Sequence, residues 1–342
     1  MDPIPARYSR QTLFEGIGPA GQVALMRARA AIVGCGALGS MQASLLVRAG
    51  VGTVRIIDRD FVEESNLQRQ VLFDDQDARD MLPKAVAAEQ KLRAANSLVA
   101  VEGVVEDLNA DTAERLLAGF DVILDGTDNF DARFLLNDFA VKTGTPWVYG
   151  ACVGSYGLTF PILPGDGPCL RCVFEHAPPP GLSPSCDTAG VLGSIAGVIA
   201  SLQASAALQI LVGHRDQVGR KIALFDLWEN VQELVDLPPR YESCPCCGER
   251  RFEYLDGAQG SETTTLCGRD SVQVGRRGGS KLDLDELARR LAPLGTVERT
   301  RFLLRADIET YRLTVFADGR AIIGGTSDPA VAKSVYARYV GS

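Results

Sequence analysis

Three glycines at a fixed spacing, followed by an acid, are the first residues of this sequence that could do chemistry. Gly34, Gly36 and Gly39 follow a short apolar run and open a helix-like segment, and Asp58 ends a second apolar run. Glycines allow a sharp turn and a close approach to phosphate, helix N-terminal amides bind anions, and an acid can accept from ribose hydroxyls. The pattern predicts a nucleotide-binding βαβ unit, and an NAD site is its simplest interpretation.

The segment after the second apolar run favours a different nucleotide. Asn66, Arg69 and Gln70 bring two amides and a guanidinium together, which a triphosphate site needs and a dinucleotide dehydrogenase does not. Lys84 follows in the first turn of the next predicted helix, where the helix dipole disfavours a cation. An anion bound at the same helix end would remove that conflict, so Lys84 is a candidate phosphate ligand; a solvated lysine is the alternative.

Asp128 is a candidate magnesium ligand. It follows the fourth predicted strand, in the run DGTDN. The carboxyl ends of parallel strands meet at one edge of a doubly wound sheet, so we expect Asp128 beside the glycine turn and Asp58. A carboxylate there could hold Mg²⁺ against phosphate oxygens. The alternative is a helix N-cap, a role that Asn129 or Asp131 could fill instead.

Two Cys-x-x-Cys pairs predict a metal site. Cys169, Cys172, Cys244 and Cys247 supply four thiolates at the spacing of a closed, structural zinc site, while Cys246 is a spare within the second pair. Four buried free cysteines are the alternative. The nine cysteines are odd in number and clustered, which favours metal binding or reactivity in a reducing compartment over disulfides.

Two further cysteines are candidates for reactivity. Cys186 ends a run rich in proline, glycine and serine, just before an apolar helix that starts near Thr188. A helix N-terminus stabilises a thiolate, which suits a nucleophile or persulfide carrier, and an unreactive cysteine is the alternative. Cys267 stands two residues before Arg269, although a structural cysteine at a strand entrance explains it better. The chain has only two histidines, which argues against a covalent hydrolase.

These residues need a scaffold, and the apolar pattern predicts a doubly wound α/β fold, that is, a Rossmann-like sheet. The predicted strands are 30–33, 53–57, 99–104, 121–124 and 147–150, and the predicted helices are 37–49, 83–96, 110–118 and 131–143. The segment between residues 70 and 81 is polar and loop-like. This alternation places the candidate residues at the carboxyl ends of the strands.

Composition and charge narrow the class of protein. The hydrophobic fraction of 46% and charged fraction of 23% are those of an ordinary globular protein. A net charge of -8 argues against binding nucleic acid through phosphate neutralisation. Residues 1–11 show no secretory leader pattern, so we expect a cytoplasmic protein. The uncharged stretch from Thr188 to Gly213 could span a bilayer by length, but its small residues and two glutamines predict a buried helix, with a subunit contact as one use.

The last part of the chain predicts a second, smaller unit. We expect the first domain to cover residues 1–255, a linker 256–265, and a small α+β domain 266–342, to which the sequence assigns no function. Its predicted strands are 271–274, 301–304, 311–316 and 321–323, with a hairpin turn at 317–320 and helices at 284–291 and 329–339.

Taken in order, the motifs resemble the MoeB/ThiF/HesA family, adenylyltransferases that activate ubiquitin-like sulfur-carrier proteins and are relatives of the ubiquitin-activating enzymes. The resemblance covers about residues 5–255. The motifs that carry it are RYSRQ at 7–11, GCGALG at 34–39, Asp58-x-Asp60, SNLQRQ at 65–70, Lys84, TDN at 127–129, the two Cys-x-x-Cys pairs and SCDTAGVLG at 185–193.

The resemblance implies ATP, Mg²⁺ and a structural Zn²⁺, and a homodimer in which Arg10 reaches the partner's ATP site. A solvated basic face is the alternative for Arg7 and Arg10. Cys186 matches a crossover-loop cysteine that some members use in sulfur or acyl transfer. The residues implied to bind ATP and Mg²⁺ are Gly34, Gly36, Gly39, Asp58, Asp60, Asn66, Arg69, Gln70, Lys84, Asp128 and Asn129.

In the implied reaction, the C-terminal Gly-Gly carboxylate of a carrier of the MoaD/ThiS type attacks the α-phosphate of ATP and releases pyrophosphate. Arg10, Arg69, Lys84 and Mg²⁺ on Asp128 balance the developing charge, and the ionised carboxylate needs no general base. A sulfur donor such as a cysteine desulfurase then forms a thiocarboxylate for molybdopterin, thiamine or another thio-cofactor. The alternatives are adenylation of a peptide or modified tRNA, an NAD-dependent oxidoreductase, and a non-catalytic zinc-clipped scaffold.

Overall fold

The computed structural model describes residues 4–176, 189–258, 263–266, 271–274, 282–317 and 319–341. The described residues form two units. Residues 4–176 and 190–258 make up the first unit, and Ala189 together with the described residues from Thr263 onward makes up the second.

Five parallel strands form one half of the sheet in the first unit. They are β1 (Arg29–Val33), β2 (Thr53–Ile57), β3 (Ala100–Val104), β4 (Val122–Asp125) and β5 (Trp147–Val153), and their spatial order is β3-β2-β1-β4-β5. The last four residues of β1 are all buried, as expected where helices cover both faces of a parallel sheet. The segments that follow β1, β2 and β4 therefore meet at one edge, and the predicted doubly wound fold is confirmed.

Three antiparallel strands that the sequence analysis did not predict extend this sheet past β5. They are β6 (Tyr156–Ile162), β7 (Lys221–Asp226) and β8 (Val231–Asp236). β5 is longer than the predicted 147–150, because β6 pairs with it all the way to Val153. All six residues of β8 are exposed, so β8 lacks the alternating burial by which a half-buried strand is predicted.

Helices cover the two faces of the first unit's sheet. They are α1 (Ser9–Thr12), α2 (Gly18–Arg27), α3 (Ala37–Ala49), α4 (Asp75–Arg79), α5 (Lys84–Ala95), α6 (Ala113–Leu117), α7 (Phe130–Thr143), α8 (Leu170–Val173) and α9 (Gly193–Leu211), with 3₁₀ turns at Ala6–Tyr8 and Glu64–Asn66. α3 has the predicted bounds and ends at Gly50, which adopts a left-handed φ of 84°. α4 lies in the segment expected to be a loop, because Asp74 caps it by accepting from two backbone N–H groups.

Helix α9 lies in the stretch predicted to be a buried helix, but only one of its faces is buried, since Ser201, Leu202 and Ser205 are exposed. Ile195, Ile199, Gln203 and Ala207 follow a helical spacing and are buried, and the helix packs on α3 and on strands β4 to β6. Among the described residues it is the one helix with the length and apolarity to cross a bilayer.

The second unit is an antiparallel sheet with two helices. Its strands are β9 (Thr263–Leu266), β10 (Ser271–Val274), β11 (Thr296–Arg299), β12 (Leu303–Ile308), β13 (Tyr311–Phe316) and β14 (Ala321–Gly324), in the order β11-β12-β13-β14-β10-β9, and its helices are α10 (Leu284–Leu291) and α11 (Pro329–Tyr339). The α+β class is thus confirmed. β9 starts within the expected linker 256–265, since threonine suits a paired strand even in a polar run. β11 was not predicted, and Asp318 of the hairpin turn lies outside the described residues.

Candidate functional site

The turn between β1 and α3 depends on backbone contacts that only glycine permits. Gly34 has a φ of 85°, and a Cβ on it would lie 2.4 Å from the carbonyl oxygen of Gly126. A Cβ on Gly39 would lie 1.9 Å from the carbonyl oxygen of Gly34. These glycines therefore allow β1, α3 and the loop after β4 to pack directly against each other.

Gly36, by contrast, faces open space at the start of α3. Among the described residues, the nearest atom to a Cβ placed on it would be Nε2 of Gln70, at 3.9 Å, and none of their side chains caps the first amides of the helix. Free N–H groups at the start of a 13-residue helix attract an anion. Gln70 is buried, and its Oε1 has no hydrogen-bond partner among the described residues. An open anion site and an unsatisfied acceptor thus share this turn.

Asp58 lies at the carboxyl end of β2 and is bound to the same turn. Its Oδ2 accepts from the backbone N–H of Cys35 at 2.5 Å, and its Oδ1 accepts from that of Asp60 at 2.7 Å. Burial raises the pKa of the Asp58 carboxyl above its ordinary value, while Lys84 lowers it and Asp60 raises it. Carboxylate oxygens have further lone pairs, so Asp58 can still accept from a ribose hydroxyl.

Lys84 is the first residue of α5, and its side chain is only 7% exposed. Its Nζ lies 3.4 Å from Oδ2 of Asp60, and its backbone N–H donates to the Asp60 carbonyl at 2.9 Å. The alternative of a solvated lysine is therefore wrong. The structure brings Lys84, Asp60 and Asp58 together at the edge where β2 ends, so a cation lies beside the glycine turn.

Arg59 belongs to the same charged group, although the sequence analysis gave it no role. Its Nη1 lies 2.9 Å from Oδ1 of Asp107, which follows β3. Burial lowers the pKa of the Arg59 guanidinium, but the negative charges of Asp107, Asp60 and Asp128 raise it by a larger amount, so its pKa lies above the ordinary value. A guanidinium held among three carboxylates remains charged.

The segment after β2 places its polar residues in two different environments. Asn66 is buried, and its Oδ1 accepts from the Glu63 backbone N–H at 3.3 Å, which stabilises the 3₁₀ turn. Arg69 is half-buried, and its Nη1 donates to the carbonyl of Ser65 at 2.9 Å. Gln70 is joined to this turn by its N–H, which donates to the Asn66 carbonyl at 3.0 Å. Asn66 therefore has a structural role in addition to any contact with a ligand.

Asp128 is exposed in the loop between β4 and α7. The Oδ1 of Asn129 accepts from the Ala132 N–H at 2.9 Å, so Asn129 is the N-cap of α7. The N-cap alternative for Asp128 is therefore wrong, and its carboxylate stays accessible at the edge of the sheet. An accessible carboxylate oxygen beside an anion site suits a Mg²⁺ ion that also contacts a phosphate.

The first helical segment of the chain lies at the far end of α3 from the glycine turn. The side chain of Gln11 donates to the carbonyl of Ala49 at 2.8 Å, and buried Tyr8 accepts from Nδ2 of Asn96 at 2.9 Å. Arg10 is exposed and has no hydrogen bond or ion pair with another described residue. Because α3 rises about 1.5 Å per residue, its ends are separated by about 20 Å. The structure therefore does not bring Arg10 to the glycine turn of its own chain.

Four cysteines converge as predicted. The sulfur atoms of Cys169, Cys172, Cys244 and Cys247 all lie within 4.8 Å of one another and are buried, with pair distances of 3.6 Å (Cys169 to Cys244) and 3.5 Å (Cys172 to Cys247). Sulfur ligands of a tetrahedral zinc ion lie about 3.8 Å apart, so this donor set fits zinc. Cys246 is not one of the four converging ligands, and its sulfur accepts from Nδ2 of Asn137 at 3.1 Å.

The other two candidate cysteines, Cys186 and Cys267, lie outside the described residues. Their expected roles therefore remain predictions. A buried pair that the sequence analysis missed, Asp125 and Arg133, lies beneath the Asp128 loop; Arg133 occurs in a helical run where an arginine is typical of a solvated face.

A model of the ThiF family matches residues 8–246 of this chain. The sulfur carrier protein ThiS adenylyltransferase of Bacillus subtilis is 44% identical over 340 residues, covering 99% of this chain and 100% of that protein. The sulfur carrier protein adenylyltransferase of Thermus thermophilus is 41% identical over 248 residues, covering 71% of this chain and 90% of that protein. The Bacillus alignment therefore includes the second unit.

Among solved structures, the crystal structure of E. coli MccB with ATP has a TM-score of 0.62 at 22% sequence identity, covering 71% of this chain and 74% of that chain. At that identity the likeness establishes the fold.

Proposed function

The chain belongs to the ThiF family, and on that premise we propose that it adenylates the C-terminal glycine of a ubiquitin-like sulfur-carrier protein. The observation that carries the proposal is the open N-terminus of α3 at Gly36, with Lys84 and Asp58 beside the glycine turn and the loop of Asp128 in contact with Gly34. An anion site between cations and an accessible carboxylate suits a magnesium-bound triphosphate.

Different groups around this site bind different parts of ATP. The amides that follow Gly36 receive the phosphates, and Lys84 and Arg69 balance their charge. Asp58 accepts from the ribose hydroxyls. Gln70 places an unsatisfied Oε1 near the same turn, and because this atom is an acceptor it suits a hydroxyl or amino donor of the nucleotide, not a phosphate oxygen.

Asp128 would hold Mg²⁺, which supplies positive charge on the phosphate oxygens when it is bound. The carrier's terminal carboxylate attacks the α-phosphorus and forms a carboxyl–phosphate anhydride, while the bond to pyrophosphate breaks. The carboxylate is ionised at neutral pH, so no residue has to remove a proton. The chain's own contribution is to orient the two anions and to balance their repulsion.

A homodimer explains the position of Arg10. The residue is exposed and lies at the opposite end of α3 from the glycine turn of its own chain, so it balances charge in the site of a second copy. Mixing Arg10→Ala and Asp128→Ala proteins tests this arrangement, because a mixed dimer then contains one site with both residues intact. Activity should return on mixing two inactive variants. A mixture that stays as inactive as its components contradicts the dimer.

An apolar surface at the same edge of the sheet supports a protein partner. β5 ends at the carboxyl edge, so the antiparallel partners place the start of β6, the end of β7 and the start of β8 there as well. Tyr156, Trp228 and Val231 lie at these ends and are 38%, 77% and 43% exposed. Clustered exposed apolar side chains are typical of a protein-binding surface. A carrier docked there has its C-terminal tail at the edge that holds the nucleotide.

The four cysteines hold one structural zinc ion. With four thiolates around it, the metal has no open position for substrate, so it joins the two Cys-x-x-Cys segments and takes no part in the reaction.

The acyl-adenylate formed on the carrier is consumed by a sulfur donor in the cytoplasm.

Trapping the product tests the proposed reaction directly. Purified protein, ATP, Mg²⁺ and a carrier ending in Gly-Gly are incubated with hydroxylamine, which converts an activated carboxyl group to a hydroxamate. Mass spectrometry should find the hydroxamate on the carrier's last glycine. A carrier whose terminal glycine is deleted is the control. Equal modification of both carriers, or of neither, contradicts the proposal.

A further inference from the structure

A buried ion pair lies directly beneath the loop that carries Asp128. Asp125 is fully buried and Arg133 is 6% exposed, and Nε of Arg133 lies 3.2 Å from Oδ2 of Asp125. Two charges are expensive to bury unless hydrogen bonds satisfy their remaining atoms. The partners of these two residues therefore indicate what the pair supports.

Asp125 is held by the elements around it. Its carbonyl oxygen accepts from Nε2 of Gln42 on α3 and from Nε2 of Gln203 on α9, both at 2.9 Å. Its Oδ1 accepts from the N–H of Thr127 at 2.9 Å and from its hydroxyl at 2.7 Å. The carboxylate is thus fixed relative to the helix that begins at the anion site, and it fixes Thr127 in turn.

Arg133 extends this support to both sides of the loop. Its Nη2 donates to the carbonyls of Thr127 at 2.9 Å and Gly150 at 3.2 Å, so it joins the loop to β5. Its guanidinium carbon lies 5.3 Å from the centre of the Phe130 ring and 5.1 Å from that of Tyr149. A planar fork can meet a carboxylate, two carbonyls and two rings at once, which a lysine ammonium cannot.

Asp128 lies between two fixed neighbours. Thr127 is held by Asp125 and Arg133, and Asn129 is held by the N–H of Ala132. We propose that Arg133 is a positioning residue that sets the Asp128 carboxylate for binding the metal–nucleotide complex, acting through Thr127 and the β5 backbone. This inference rests on the proposed function of the site.

The test measures magnesium binding separately from catalysis. Thermal unfolding of the protein is followed with a non-hydrolysable ATP analogue while Mg²⁺ is titrated. Arg133→Lys should raise the half-saturating Mg²⁺ concentration about tenfold or more, as expected when a group supporting a metal ligand is lost. The stabilisation by the nucleotide without Mg²⁺ should change much less, because the anion site at Gly36 is intact.

Arg55→Lys is the matched control. Arg55 also contacts a carboxylate (Glu102, 2.7 Å), a carbonyl (Leu116, 2.9 Å) and an aromatic ring (Phe120, 4.7 Å), but it projects from the middle of β2. Its replacement should leave the Mg²⁺ titration as in the wild type. Equal titrations for the Arg133→Lys and Arg55→Lys proteins would overturn the inference while leaving the proposed function standing.

If the Arg133→Lys protein does not fold, a second variant provides the test. The double variant Asp125→Asn/Arg133→Gln removes both charges and keeps amides in their place, so no unpaired buried charge remains. It should show the same raised Mg²⁺ requirement, and a wild-type titration in this variant would overturn the inference. A wild-type protein that shows no Mg²⁺-dependent stabilisation by nucleotide would overturn the proposed function, and this inference with it.

Discussion

The ammonium nitrogen of Lys84 lies 3.4 Å from Oδ2 of Asp60, although Lys84 is the first residue of a helix. A helix N-terminus disfavours a cation, and the Asp60 carboxylate offsets part of that unfavourable interaction. A bound phosphate would add a second negative group and offset more of it. The pair keeps a nearly buried amino group at the edge of the sheet where β2 ends.

Lys84→Ala should lower kcat/KM for ATP-dependent pyrophosphate exchange by about 10²-fold, because it removes a positive group from the phosphate site. Lys91→Ala is the control on the same helix, since Lys91 pairs with Asp74 and Asp77 instead. The rates of both variants are measured under identical conditions. If Lys84→Ala retains the activity of Lys91→Ala, then Lys84 does not serve the phosphates.

Zinc content distinguishes the four cluster cysteines from the spare. Cys172→Ser should lose the metal and lower the free energy of unfolding by about 3 kcal/mol or more, because zinc binding contributes directly to folding. Cys246→Ala should keep about one zinc ion per chain, because Cys246 is not one of the four converging sulfur ligands and its own sulfur accepts from Asn137. Elemental analysis and chemical denaturation measure the two quantities. Retention of zinc in Cys172→Ser, or its loss in Cys246→Ala, would contradict the assignment.

Nucleotide affinity should depend on pH through Asp58. Burial raises the pKa of this carboxyl above its ordinary value, so it takes up a proton at a higher pH than an exposed aspartate. Protonation removes an acceptor for the ribose, so the affinity should fall as the pH is lowered through that raised pKa. Asp58→Asn should bind more weakly and lose this part of the pH dependence. Calorimetric titration from neutral to mildly acidic pH measures both proteins, and parallel curves would contradict the role of Asp58.

Substitutions in the apolar surface at the β7–β8 turn should weaken binding of the carrier and leave binding of ATP unchanged. Trp228→Ser should raise KM for the carrier about tenfold, because a large exposed aromatic is typical of the residues that dominate a protein interface. KM for ATP should stay unchanged. Leu98→Ser is the control, since Leu98 is 58% exposed but precedes β3, at the opposite edge of the sheet. Equal carrier KM values for the two variants would place the docking surface elsewhere.

The sequence predicts the β1-α3-β2 unit and the zinc cluster well because their signals are local. The glycine spacing, the apolar runs and the Cys-x-x-Cys pairs each fix a short stretch of chain, and the bounds of α3 and β2 are those expected. The exposed strand β8 carries no such signal, because its residues do not alternate in burial. A strand of this kind is defined by its pairing partner.

Arg133 shows why the support of a site is harder to predict than the site itself. In the sequence it is one of several charged residues on a helix, and only the packing of Phe130, Tyr149 and β5 around it makes it a buried partner of Asp125. Arg59 was missed for the same reason, since its partner Asp107 follows a different strand. Contacts between distant segments leave no periodic pattern in the chain.

Pyrophosphate exchange with a panel of carriers measures directly whether the protein adenylates a sulfur carrier. Purified protein, ATP, Mg²⁺ and labelled pyrophosphate are combined with each small Gly-Gly-ending carrier encoded in the same genome, and Asp128→Ala is the inactive control. We expect label to enter ATP with one of these carriers and the Asp128→Ala protein to show no exchange. Absence of exchange with every carrier, in a protein that still binds ATP, would contradict this expectation and point to a different acceptor.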